Sequence, residues 1–70
     1  MQTLLQPNIF LTRKDAARVL AETGLPVRES TLERLALREG GPEYRLINGR
    51  ALYTRAWLEA WVRQQLDGQG

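Results

Sequence analysis

The stretch Thr12–Gly40, TRKDAARVLAETGLPVRESTLERLALREG, decides how the chain reads. Thr12 with Asp15, and Ser30 with Glu33, each set a hydroxyl residue three positions before a carboxylate. Such a pair can satisfy backbone N–H groups that a helix start leaves unbonded. Gly24 and Gly40 stand where a left-handed residue would close each helix. Two short helices joined by a tight connection are therefore predicted. The first spans about Arg13 to Glu22, with Ala16, Ala17, Val19 and Leu20 inward; the second spans about Thr31 to Arg38, with Leu32, Leu35 and Ala36 inward. Leu25 or Val27 should plug the angle between them. Leu37 falls off the stripe, roughly 200° of arc from Leu35, so either the helix loosens there or Leu37 serves a second surface.

The second helix carries Arg34 and Arg38 one turn apart, with Arg28, Ser30 and Thr31 near its start. This makes a polar, cationic edge of a size that fits a DNA major groove. The expected motif is a helix-turn-helix. Arg13 and Lys14, at the start of the first helix beside Thr12, are either part of a solvated face or contacts to a phosphate backbone.

Outward from that pair the hydrophobic period changes. Gly40-Gly41-Pro42 breaks the chain, and Tyr44–Ile47 and Arg50–Tyr53 are β-prone runs separated by Asn48-Gly49. An Asn-Gly tip suits a type I′ turn, which requires two residues tolerant of positive φ. The register predicted is Tyr44 opposite Tyr53 and Leu46 opposite Ala51, giving one apolar face, with Arg45 and Arg50 on the other. Thr54 is placed to cap a last helix from Arg55 to about Leu66, with Leu58, Trp61, Val62 and Leu66 inward. Trp57 either leans on the hairpin or is an exposed contact. At the other end, residues 1–11 form an uncharged arm in which Leu4, Leu5, Ile9 and Phe10 either cover the core or meet a second copy. Leu11 is expected to staple against Ala16. Residues 12–67 make up the domain, Asp67-Gly68-Gln69-Gly70 a frayed end and 68–70 a disordered tail.

Composition narrows the function. Seventy residues form one small domain with little room for a catalytic cleft. With neither cysteine nor histidine there are no disulfides, no usual zinc sites, no imidazole base and no thiol nucleophile. No enzyme, metal, cofactor or small-molecule substrate is expected. Ten basic residues against eight acidic ones give a net charge of +2, which permits nucleic-acid binding without requiring it. No apolar run approaches the roughly 18 residues of a membrane span, and the start MQTLLQPNIF lacks a basic signal region. A cytoplasmic protein is expected, with no membrane partner.

The order helix, turn, helix, Gly-Pro, hairpin, helix resembles the excisionase-like and AlpA-like winged helix-turn-helix proteins, relatives of the DNA-binding domain of the mercury-resistance regulator superfamily. The likeness runs from Phe10 to Val62. It is carried by Phe10–Ala17, by Ser30-Thr31-Leu32 with Arg34-Leu35, by Gly40-Gly41-Pro42 with Tyr44, by Arg50–Tyr53, and by Leu58–Val62. The resemblance implies a mostly α fold with a small β-hairpin, and sequence-specific binding of double-stranded DNA. The helix at about 30–39 would enter the major groove, and the hairpin at about 44–53 would be a wing whose tip, Asn48-Gly49-Arg50, reaches a phosphate or the minor groove. It implies an excisionase or a small transcription regulator of a phage or mobile element. Its partners would include further copies of itself, as a dimer or cooperative array, and an integrase or RNA polymerase. The chain departs from the family in its less basic tip, in Trp57 where a carboxylate is usual, and in a longer connection from Thr23 to Glu29. Glu29 and Glu33 also flank the reading edge, and would repel phosphate unless aimed at cytosine amino groups. The rival reading from the residues is a protein-interaction module using the arm, Leu37 and Trp57.

Overall fold

The computed structural model describes residues 9–68, so Leu4, Leu5 and the rest of the arm before Ile9 lie outside the described residues. Three helices and one antiparallel hairpin follow in order: α1 (Arg13–Glu22), α2 (Glu29–Leu37), β1 (Arg45–Ile47), β2 (Arg50–Leu52) and α3 (Arg55–Gly68).

α1 begins where its sequence signal lies. Thr12 is extended, and its hydroxyl accepts the Asp15 N–H at 3.2 Å. The helix closes on Thr23, whose hydroxyl donates to the Leu20 carbonyl at 2.7 Å, and Gly24 follows at φ +91°. α3 starts in the same way, with the Thr54 hydroxyl accepting the Trp57 N–H at 3.1 Å. Thr54 is itself buried. α3 outlasts the expected Leu66 and continues to Gly68, so Asp67 and Gly68 belong to the helix rather than to a frayed end.

α2 departs from expectation at both ends. Its N-cap is Arg28, extended and without a side-chain hydrogen bond, so Ser30 lies inside the first turn and is no cap. Val27 packs against the core and the chain turns helical immediately after Arg28. Glu29 then supplies a negative charge to the positive helix end in place of a capping hydroxyl. At the other end it is Glu39, at φ 57°, and not Gly40, that takes the left-handed position. The Gly40 N–H bonds to the Leu35 carbonyl at 3.0 Å and the Glu39 N–H to that of Ala36 at 3.3 Å, a Schellman closure. Gly41 is required for a different reason: a Cβ there would stand 2.9 Å from Leu35 Cβ. The Trp61 indole N–H donates to the Gly40 carbonyl at 3.2 Å, tying the end of α2 to α3.

The core comprises Ala16, Val19 and Leu20 from α1, Leu32 from α2, Tyr53, and Leu58, Trp61 and Val62 from α3. Leu25 and Val27 both pack against it, as does Leu11. Leu66 does not join the α3 stripe: it is 61% exposed. Nor do Ile9 and Phe10 cover the core; both are exposed, and Phe10 instead sets its ring 6.2 Å from that of Trp57. The arm is anchored one residue later, where Leu11 and Tyr53 exchange backbone hydrogen bonds of 2.6 and 2.8 Å.

The hairpin has the expected register, with Arg45 opposite Leu52, Leu46 opposite Ala51 and Ile47 opposite Arg50. Asn48 and Gly49 take φ 53° and 78°, as a type I′ tip demands. Its apolar face is covered at the base and at Ala51 on β2, which packs against the core, but not on the β1 side at Leu46. Tyr53 is buried and Tyr44 half-buried, whereas Leu46, one step toward the tip, is 67% exposed.

Candidate nucleic-acid interface

The basic residues divide into those already occupied and those left over. Arg18 meets Asp15 at 3.8 Å, Arg45 meets Glu43 at 3.6 Å, and Arg55 meets Glu22 at 3.8 Å and Glu59 at 3.9 Å. Arg13 is held without a carboxylate. Its Nε–H donates to the Tyr53 hydroxyl at 3.2 Å and its guanidinium lies 5.7 Å from the centre of the Tyr44 ring. These contacts fasten the start of α1 to the hairpin base. Arg45 similarly sits 5.4 Å from the ring centre of Trp57, which therefore leans on the hairpin through Arg45 and on Phe10.

Lys14, Arg28, Arg34, Arg38, Arg50 and Arg63 have no ion-pair partner among the described residues, and all are exposed. Three of these, Arg28, Arg34 and Arg38, belong to α2 or its caps. At about 100° of arc per residue, Thr31, Arg34 and Arg38 fall along one shoulder of α2. Glu29, Glu33 and Ala36 fall along the other, with Ser30 and Leu37 on the crest between. Ser30, Glu33, Arg34 and Leu37 line a shallow groove on this exposed surface. Leu37, the residue that fits no inward stripe, is 83% exposed.

The two shoulders have different neighbours. Ala36 shares a groove with Glu39, Pro42, Glu43 and Tyr44, so the acidic shoulder borders the chain leading into the hairpin. Arg34 stands on the opposite side of the helix. Around the helix, Leu37 and Ser30 lie between Arg34 and the shoulder that borders the chain leading into the hairpin. Segment 28–39 holds Arg28, Arg34 and Arg38 against Glu29, Glu33 and Glu39. It offers a separation of charge and no excess of it.

Of the residues predicted for backbone contact, Thr12 uses its hydroxyl to cap α1 and Arg13 is bound to the two tyrosines; Lys14 is exposed and unpaired. Asn48, Gly49 and Arg50 are all exposed at the hairpin tip. Sequence reasoning missed the Arg13–Tyr53 and Trp61–Gly40 bonds. Each joins residues far apart in the chain, and no local pattern marks them. Among the described residues, no group of three acidic side chains gathers where a metal ion could be held, and no helix is long and apolar enough to cross a membrane.

No family model, curated protein or solved structure matches the chain.

Proposed function

We propose that this chain is a non-enzymatic, sequence-specific binder of double-stranded DNA, built as a winged helix-turn-helix. α2 is its reading helix and the hairpin tip its second contact. The observation that carries this reading is the row Thr31, Arg34, Arg38, half-buried at Thr31 and exposed at both arginines, whose guanidinium groups have no carboxylate partner among the described residues, whereas Arg18, Arg45 and Arg55 are ion-paired. Arginine presents a rigid fork that suits the O6 and N7 edge of guanine, and threonine can pack on a thymine methyl. Arg50 and Lys14 supply cations for phosphate. The acidic shoulder sharpens the choice of site, because Glu29 and Glu33 repel backbone but accept from a cytosine amino group.

The balanced charge of segment 28–39 sets the expected mode of binding. With only about three or four cations free to meet phosphate, the logarithm of affinity should fall with that of salt with a slope no steeper than about −3 to −4. Non-specific binding is weak, and discrimination rests on base edges. The biological role is either to bend DNA for a recombinase or to regulate transcription, and a bending assay on the retained site separates the two.

The test is retention of random genomic fragments by the purified chain at two salt concentrations, followed by Arg34→Ala and Arg50→Ala. The first variant should lose roughly 1 to 3 kcal/mol on the selected site, and the second should lower the salt slope by about one. Failure to retain any fragment in dilute salt would sink the reading. Leu37, 83% exposed on the crest, favours a second one: a protein-interaction module with α2 as its contact face.

A further inference from the structure

α3 carries a self-complementary surface on the side that faces away from the core. Arg55, Glu59, Arg63 and Asp67 recur every fourth residue and alternate in sign along one ridge of the helix. The adjacent row contains Ala56 and Ala60, both exposed, and Ala56, Glu59, Ala60 and Arg63 together line a groove. Beside the ridge lies Leu66, 61% exposed and sharing a second groove with Val62 and Thr23. Within the chain the ridge is only partly satisfied. Arg55 reaches Glu59 and Glu22 at long range, whereas Arg63 and Asp67 have no ion-pair partner among the described residues.

We propose that this face docks a second copy of the chain, α3 against α3, antiparallel about a two-fold axis. Rows of residues four apart form ridges that pack into the grooves of a facing helix, and the two sets of ridges then run side by side. Reversing the order plus, minus, plus, minus turns every sign into its opposite. Arg63 faces Glu59 of the second copy, Asp67 faces its Arg55, and the symmetry repeats both contacts. In the same register Leu66 lies over Ala56 of the second copy, where small side chains let the backbones approach. The two charges that lack partners within one chain find them here. A parallel arrangement would set like charges against each other, so the charge order selects both the occupant and its direction. Exposed ion pairs contribute little singly, so the pairing is salt-sensitive and weak, with the ridge fixing register more than affinity.

This inference does not rest on DNA binding and is tested without DNA, by sedimentation equilibrium of the full chain across concentration in dilute and in high salt. Concentration-dependent dimers, weakened by salt, are expected. Arg63→Glu sets two acidic pairs across the axis and should raise the dissociation constant about tenfold or more. The double variant Glu59→Arg with Arg63→Glu again sets opposite charges at every contact between copies and should return the constant to within about threefold of the parent. Helical circular dichroism should stay at the parent's level in both, since both positions are exposed. A parent chain that remains monomeric near millimolar concentration in dilute salt would overturn the proposal. So would a single reversal without effect, or a double variant as weak as the single one.

Discussion

α1 and α3 are held in one manner and α2 in another. Each of the outer two starts on a threonine whose hydroxyl accepts a backbone N–H, and each sends three side chains into the core. α2 has no side-chain cap and buries Leu32 alone. It is secured by that one leucine, by Leu35 against Gly41, and by the Trp61 indole on the Gly40 carbonyl. A helix committed to the core so sparingly leaves most of its circumference open. This is why Ser30, Arg34 and Leu37 of the helix, and Arg38 at its C-cap, can all be presented outward.

The contrast can be broken first at Leu32. Leu32→Ala removes the only fully buried side chain of α2, and should cost about 2 to 5 kcal/mol in urea unfolding. A loss under about 1 kcal/mol would mean that α2 is held mainly by its ends. The caps come next. Thr54→Ala should lose about 1 to 2 kcal/mol, because the hydroxyl is buried as well as capping, whereas Ser30→Ala should change stability by less than about 0.5 kcal/mol. Equal losses at the two positions would return Ser30 to the capping role its sequence suggested. The smallest effect expected is a gain. Glu39→Gly relieves a left-handed glutamate and should stabilise by up to about 1 kcal/mol, read as a small rise in the melting temperature.

What could be read from the sequence follows the range of the forces involved. The span of α1, the Thr54 cap, and the register and tip of the hairpin rest on neighbours a few positions apart, and Asn48-Gly49 constrains the turn almost alone. The ends of α2 differ from their local signals because tertiary contacts override them. Val27, packed against the core, is followed by a helix that starts ahead of the Ser30–Glu33 pair. At the far end, Gly40 is drawn into the Schellman closure and the Trp61 bond, which leaves Glu39 to adopt positive φ. Leu66 stays outside for a related reason: its spacing fits the inward stripe of α3, but the core ends before it reaches that position. At the candidate interface, the exposure of Arg34, Arg38 and Arg50 was foreseeable from periodicity. The capture of Arg13 by Tyr53 was not, because it depends on the hairpin folding back over the start of α1.

The indole of Trp61 has a practical consequence. It is nearly buried and its N–H is bonded to the residue that ends α2, while Trp57 sits half-buried between Phe10 and Arg45. The molecule thus carries two tryptophans in unlike surroundings, one turn apart on α3. With Trp57 replaced by phenylalanine, the remaining emission becomes a spectroscopic gauge of how α2 is seated, readable in solution without any added label.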